Sequence, residues 1–408
     1  MTLTSTLLPS ETPFAEIPTA PPDPILGLTA AFLADTNPNK VNLGVGVYQN
    51  AQGKVPILKA VHEAEKQWLE KEDSKTYLPI DGIATYDKLV QSMLLGADSP
   101  LIAEGRVLTA QALGGTGALK IGADFLRRFL PDPTVWISSP SWENHKALFE
   151  AAGFTVNSYP YYDEQTHSLD FAGMVQTLET LPAHSLVVLH ACCHNPTGVD
   201  LSPEQWQDMV SLFQHKHLIP FLDFAYQGFG EGIEADAFAV RAFAEAGLPA
   251  LIANSFSKSF SIYRERVGAL TILTGSAEEA QRLLSQLKRV IRTNYSNPPS
   301  YGAQLVALVL ADAGLRALWE EELAEMRERI HAMRRRFTET LRSLEVGQDF
   351  RFIVDQKGMF SYSGLSLEAV RRLRSEYGIY AVDSGRICVA ALNDLNIEYV
   401  CQAIAHVL

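Results

Sequence analysis

The chain has 408 residues, 47% hydrophobic and 20% charged, with a net charge of -13 from 34 basic and 47 acidic side chains. That length buries a large core and suggests two domains, or one large domain with a smaller partner. The acidic balance, without a Lys/Arg-rich block, argues against a nucleic-acid-binding surface.

Residues 1–24 are acidic and rich in Pro and Thr, with no basic segment leading into an apolar core. They read as a flexible arm rather than a secretory signal. No apolar run reaches membrane-spanning length, so a cytoplasmic protein is expected. From about Ala60 to Thr274 short apolar runs alternate with amphipathic helices, the pattern of a largely parallel sheet covered on both faces. The expected strands are Val135–Ile137, Leu186–Leu189, Ile219–Leu222, Leu251–Ala253 and Ala269–Leu273, with helices between them such as Pro203–His215 and Asp236–Glu245. A long helix is expected over Leu315–Leu344, where Leu315, Leu318, Trp319, Leu323, Met326, Ile330, Met333 and Phe337 recur at helical spacing. Its Arg334-Arg335-Arg336 run reads as a solvated face. Strand-like Met359–Ser363, Ile379–Val382 and Ile387–Ala390 then point to a second, smaller α+β domain. The adjacent pair Cys192-Cys193, with Cys388 and Cys401, reads as buried thiols rather than a disulfide framework or a metal site.

In open parallel sheets ligands bind beyond the carboxyl ends of the strands. Four strands here deliver polar or aromatic groups to that edge. Ser139-Pro140-Ser141-Trp142 with His145 follows the first, and His190 to Gly198, including Asn195, follows the second. Asp223 and Tyr226 follow the third, and Ser255 and Lys258 the fourth. A lysine after an apolar strand is ordinarily a surface charge. Surrounded by Ser255, Ser257 and Arg266, it suggests an amine able to form a Schiff base beside a phosphate site. Gly114-Gly115-Thr116-Gly117 opens a helix whose free N–H groups suit an anion. Alone it fits a tight turn or a nucleotide loop equally well, although no convincing strand with a matching acidic residue accompanies it as a dinucleotide fingerprint needs. Asp223 is either a turn residue or a carboxylate that keeps a pyridine nitrogen protonated. Tyr226 is a donor to a ring oxygen or a core aromatic, and Trp142 a stacking partner or a core aromatic. Arg386 and Arg292 fit bidentate carboxylate clamps, two of which would suit an amino acid with an acidic side chain.

Assembled, these residues resemble the class I pyridoxal-phosphate aminotransferases of the aspartate/aromatic subgroup. The motifs are Val41-Asn42-Leu43-Gly44-Val45-Gly46-Val47-Tyr48, Gly115-Thr116-Gly117-Ala118-Leu119, Cys193-His194-Asn195-Pro196-Thr197-Gly198, Asp223-Phe224-Ala225-Tyr226-Gln227-Gly228, Ser257-Lys258 and Asn294-Tyr295-Ser296-Asn297-Pro298-Pro299. The resemblance implies an α/β fold, the type I pyridoxal-phosphate transferase fold. Its large domain has a mostly parallel seven-stranded sheet, and its smaller domain is α+β. The implied division is an arm over 1–24, the small domain over 25–55 and 326–408, and the large domain over 56–325.

It also implies the roles. Lys258 anchors the pyridoxal 5'-phosphate cofactor covalently and shuttles the substrate proton. Asp223, supported by His145, binds the pyridine nitrogen. Tyr226 and Asn195 hold the ring oxygen, and Trp142 stacks on the ring. Gly115, Thr116, Ser255 and Arg266 hold the phosphate, joined by Tyr77 of a neighbouring subunit. Arg386, Asn195 and the Gly46 backbone take the substrate α-carboxylate, and Arg292 of the neighbour takes a distal one. A homodimer with shared sites, no metal, and cis bonds before Pro140 and Pro196 are implied by the same likeness.

Phe229 to Glu234 and Ala246 to Ala250 look closer to bacterial aromatic-amino-acid aminotransferases. Val47, Thr116 and Asn297 are similar to the aspartate pattern, Val55 is apolar as in the aromatic type, and Gln49 and Thr76 match neither. The implied activity is transfer of the amino group of aromatic amino acids and aspartate or glutamate to 2-oxoglutarate or oxaloacetate. An aspartate-specific enzyme is the alternative, and decarboxylation or β-elimination are nearer rivals within the cofactor's chemistry. A nicotinamide-dependent oxidoreductase would leave Lys258, Asp223 and Arg386 without a role.

Overall fold

A computed structural model describes residues 12–21, 23 and 25–408. Of the arm expected over 1–24, residues 1–11, 22 and 24 lie outside the described residues. A seven-stranded sheet forms the centre, in the order Val107–Leu113, Val267–Leu273, Ala250–Ser255, Ile219–Phe224, Leu186–His190, Thr134–Ser139 and Thr155–Pro160. Every pairing is parallel except the two made by Val267–Leu273, which runs antiparallel to both neighbours. The strands Leu186–His190 and Val267–Leu273 are buried at every position. Continuous apolar runs, rather than alternation, are what two covered faces require.

All five strands expected in this region are present, each lengthened by one or more residues. Two more border them. Val107–Leu113 and Thr155–Pro160 are the sheet's edges, and the second is mostly exposed, which is why its sequence carries little apolar signal. The first supplies a strand before the glycine turn that the sequence reading did not identify, because Val107–Leu113 runs straight into the helix Gly114–Phe129. Being antiparallel to Val267–Leu273, it points the same way as the parallel strands. The glycine turn therefore reaches the same carboxyl edge. Gly122 in that helix lets it sit directly on the sheet, since a Cβ there would lie 2.5 Å from Phe221 Cζ.

Pro203–Lys216 begins as its sequence suggests, with Pro203 in the first turn and a reciprocal Ser202–Gln205 capping box. The single helix expected over Asp236–Glu245 is instead two, Ile233–Asp236 and Phe238–Glu245. Asp236 turns inward to accept from the Gly228, Gly230 and Glu231 amides rather than lying on a helix face.

The long helix spans Ala313–Ser343. The Arg334-Arg335-Arg336 run on it is not one solvated face. Successive helix residues turn by ~100°, so Arg336 reaches Asp394 and Glu398 at the surface while Arg334 points inward and is fully buried. Arg334 donates to the carbonyls of Ile353, Gly358 and Phe360 at 3.2, 2.7 and 2.6 Å. Around this helix lie two small ladders. Val41–Asn42 pairs in parallel with Ile379–Tyr380, and Phe360–Tyr362 pairs antiparallel with Arg386–Cys388. The C-terminal strands are shorter than expected, and Val389–Ala391 is a turn of 3-10 helix. The four cysteines are buried free thiols. Among the described residues no single helix is long and apolar enough to cross a membrane.

Candidate active site

The carboxyl edge of the sheet opens on a cavity of about 360 Å³, lined by 11 of the 14 residues given a role from sequence: Gly46, Gly115, Thr116, Trp142, Asn195, Asp223, Tyr226, Ser255, Lys258, Arg266 and Arg386. Its size falls within the usual range for small-molecule sites. Register explains much of the convergence. His190 and Asp223 are directly paired on neighbouring strands, and the strand through Ser255 lies beside the Asp223 strand. The peptide bonds before Pro140 and Pro196 are both cis.

One end of the cavity is built for an anion. The helix Gly114–Phe129 has no side-chain cap, so its first-turn N–H groups are free of a side-chain acceptor. A Cβ on Gly114, where φ is +69°, would stand 2.5 Å from Arg266 Nη2, and one on Gly115 would stand 3.2 Å from Ser255 Cβ. Glycine is thus what allows the guanidinium and Ser255 to close over the helix start. Arg266 is held by donation from Nη1 to Ser257 Oγ at 3.2 Å and to the Tyr263 carbonyl at 2.9 Å.

At the cavity floor, Asp223 accepts from His145 Nε2–H at 2.8 Å. His145 Nδ1 lies 2.9 Å from Ser141 Oγ, so both ring nitrogens have a hydrogen-bond partner. Burial works to raise the Asp223 pKa. The His145 hydrogen bond and the charges of His145, His190 and Lys258 outweigh it and hold the carboxyl below its ordinary value. Trp142 lies edge-on to His145, with ring centroids 5.3 Å apart.

Lys258 projects into the centre, its Nζ 4.7 Å from the Tyr226 ring centroid. Burial, then the positive charges of Arg266 and Arg386, overcome the pull of Asp223 and lower this amine to about 8. Burial and then the Asp223 charge raise the Tyr226 phenol, which therefore stays protonated. Asn195 Nδ2 donates to Tyr226 Oη at 3.5 Å, while its Oδ1 accepts from Arg386 Nη1 at 3.0 Å. One amide so connects the phenol to the guanidinium.

Arg386 is 1% exposed and lies over the Phe360 ring, 4.3 Å from its centroid. Its hydrogen-bond acceptors are neutral: Asn195, and the Gly44 carbonyl at 2.6 Å from Nη2. Among the described residues its Nε has no partner. A buried cation whose hydrogen bonds go only to dipoles is set up to receive a carboxylate.

Tyr77 and Arg292 are not brought to this cavity. Tyr77 is 89% exposed, and Arg292 is exposed and donates to Ser296. Of the positions weighed for substrate choice, Val47 and Thr116 line the cavity. Val55 lines an adjoining one that shares Val47 and Tyr263, while Asn297 donates to the Leu78 carbonyl and Gln49 accepts from Asn393. Arg264 is exposed, with Glu265 at 3.8 Å. His190, Ser257, Tyr263 and Phe360 line the cavity without a role having been read for them. His190 and Ser257 fall within the strand-end segments, so position alone could have raised them. Tyr263 and Phe360 carry no such signal.

The sequence profile of the family "Aminotransferase class I and II" matches residues 38–404. The chain is 59% identical to an aspartate aminotransferase of Pseudomonas aeruginosa, across 97% of this chain and 99% of that one. It is 51% identical to an aromatic-amino-acid aminotransferase of Escherichia coli, across 95% and 98%. Among solved structures, an aromatic-amino-acid aminotransferase from Burkholderia pseudomallei covalently bound to pyridoxal phosphate superposes with a TM-score of 0.95 at 61% identity, covering 97% of this chain and all of that one.

Proposed function

The chain belongs to the class I and II aminotransferases, and from that membership we propose that it transfers the amino group of aspartate, glutamate and the aromatic amino acids to 2-oxo acids such as 2-oxoglutarate and oxaloacetate. The reaction is a ping-pong one on pyridoxal 5'-phosphate. The observation that carries this reading is the Lys258 amine, lowered to about 8 and standing between an anion cradle, a buried carboxylate and a buried guanidinium in one cavity.

The residues present fit that cofactor. The uncapped helix start, with Arg266 packed against Gly114 and Ser255 against Gly115, matches a phosphate. The ionised Asp223 matches a pyridinium. When bound, pyridoxal phosphate supplies an electrophilic aldehyde carbon and a ring that accepts electron density from the substrate.

Each side chain then has a task. Gly115 and Thr116 offer backbone and hydroxyl donors to the phosphate, and Ser255 and Arg266 complete the cradle. Asp223 keeps a proton on the pyridine nitrogen, and His145 fixes the carboxylate for it. Trp142 covers one ring face. Tyr226, protonated, donates to the ring oxygen, and Asn195 holds Tyr226 in place. Arg386, with Asn195 and the Gly46 backbone, orients the substrate by its α-carboxylate. Lys258 Nζ, neutral in a substantial fraction near pH 8, would anchor the cofactor through its aldehyde carbon and, once freed, accept and hand on the proton of the substrate α-carbon.

We assign Tyr77 to the phosphate and Arg292 to a distal carboxylate of the site in a second copy of the chain. That homodimer is supported by the exposure of both residues in the single chain. Arg292 swings aside when an aromatic ring replaces the carboxylate. The small domain over 25–55 and 326–408, apart from the large domain over 56–325, is supported by the pairing of Val41–Asn42 with Ile379–Tyr380. A cytoplasmic location fits these assignments.

A donor panel tests the reading. The purified protein should be yellow, and kcat/KM should be appreciable for aspartate, glutamate, phenylalanine and tyrosine. Lys258→Ala should abolish turnover. Aromatic donors left inert beside efficient aspartate would reduce the activity to the aspartate-specific alternative, and a protein that retains no pyridoxal phosphate would refute it.

A further inference from the structure

Glu143 is the first residue of the helix Glu143–Ala151, directly after Trp142, and has no part in the chemistry above. Its Oε2 is buried, yet among the described residues no hydrogen-bond partner reaches it. The nearest cation is Arg386, whose Nη1 lies 3.9 Å away, within ion-pair range and beyond hydrogen-bond range. Arg386 is meanwhile 1% exposed, and its own hydrogen bonds go to the neutral acceptors Asn195 and Gly44. Two opposite charges, each short of a charged hydrogen-bond partner, thus face each other across a gap at the end of the cavity. Tyr362, which pairs in register with Arg386, shows the reach of this anion: burial first, then the charges of Glu164 and Glu143, raise its phenol pKa.

We propose that Glu143 is the resident counter-ion of Arg386 in the substrate-free enzyme, and that it sets substrate affinity by competing with the incoming α-carboxylate. This rests on the assignment of Arg386 as the carboxylate clamp. The physical argument is one of balance. A guanidinium buried without any anion is costly, so a carboxylate nearby stabilises the empty site. An anion in full bidentate contact would block the site. At 3.9 Å, Glu143 offsets part of the Arg386 charge while leaving its hydrogen-bonding edge for a stronger, charge-assisted partner. Once that partner is bound, the two carboxylates share one cation and repel each other, which weakens binding and favours release. Glu143 therefore sets affinity for every carboxylate ligand, whatever its side chain.

The test uses the holoenzyme and 3-phenylpropionate, an unreactive ligand with one carboxylate and no amine, titrated calorimetrically. Glu143→Gln keeps the shape and removes the charge, and it should tighten binding about 3–10-fold, lowering KM for phenylalanine and aspartate in parallel. Glu143→Asp keeps the charge and should bind no more than about twofold tighter than the parent. Tighter binding is a result that damage to the fold does not produce. An unchanged or weakened Kd in Glu143→Gln overturns the proposal, as does equal tightening in Glu143→Asp. Arg386→Lys separates the two claims. It should weaken 3-phenylpropionate at least tenfold, and if it does so while Glu143→Gln has no effect, the clamp stands and the counter-ion role falls. If Arg386→Lys leaves Kd unchanged, both are refuted.

Discussion

Replacing Arg334 with Met removes a guanidinium that never touches the cavity, and its cost can be worked from two opposing quantities. Arg334 donates to three main-chain carbonyls, of Ile353, Gly358 and Phe360. Hydrogen bonds from a charged group contribute about 1.5–3 kcal/mol each, so their gross loss is about 5–9 kcal/mol. Against this, burial pulls the Arg334 pKa from the ordinary guanidinium value to about 10. At ~1.4 kcal/mol per pH unit, that lowering marks a cost of about 3 kcal/mol for holding the charge inside. A lowered pKa on a base means the cost is fully present at neutral pH, where the group is charged in both folded and unfolded chains, and is relieved only as pH rises above about 10. The variant escapes that cost, and its methionine fills the stem of the arginine. The net prediction is destabilisation by about 2–6 kcal/mol.

Function should suffer too, because the same carbonyls fix the strand that carries Phe360, on whose ring Arg386 lies. A loss of even ~1.4 kcal/mol in clamp positioning is a tenfold rise in KM. Urea denaturation of the cofactor-saturated enzyme at fixed protein concentration reads the first effect, and KM for aspartate and phenylalanine the second. Stability within about 1 kcal/mol of the parent, together with KM within about twofold, would refute the reasoning.

Three further outcomes are expected. Uptake of pyridoxal phosphate by the apoenzyme needs a neutral Lys258 amine, so its rate should rise with pH and level off above about 8, because burial has lowered that amine to about 8; a plateau reached only near pH 10 in stopped-flow absorbance would contradict the lowered value. Gly122→Ala drives a methyl to 2.5 Å from Phe221 Cζ and should destabilise by about 1–3 kcal/mol through overpacking, visible as a lower Tm. Arg292→Leu, if that residue serves the site of a second copy, should cut kcat/KM for aspartate by about 10²-fold or more while sparing phenylalanine, and equal losses for the two donors would argue against it.

Much of the site is legible in the order of residues along the chain. Trp142, Asn195, Asp223, Ser255 and Lys258 announce themselves because apolar runs mark strands, and parallel strands deliver the residues after their carboxyl ends to one edge. The flanking strand Val107–Leu113 is harder to read, since the buried polar residues Thr109 and Gln111 interrupt its apolar run. Without it, the reason the Gly114 turn reaches that edge is hidden. Arg334 misleads for a related reason. A charge run shows its composition, while the direction of each side chain depends on what packs against the helix, here the Gly358–Phe360 turn.

The sequence by itself therefore determined local chemistry and its order along the chain: a glycine-opened helix, a carboxylate ending a buried strand, a lysine between hydroxyls, and an arginine far downstream. Those features depend on backbone periodicity and residue type, which act over a few positions. Tertiary structure alone decided that Arg386 and Phe360 stack beneath Gly46, that Asn195 bridges Arg386 and Tyr226, and that Glu143 stands 3.9 Å from a buried guanidinium. Several contacts at this end of the site join residues far apart in sequence, 191 positions for Asn195 and Arg386 and 342 for Gly44 and Arg386. Their electrostatics arise from burial and distance, which exist only once the chain is packed.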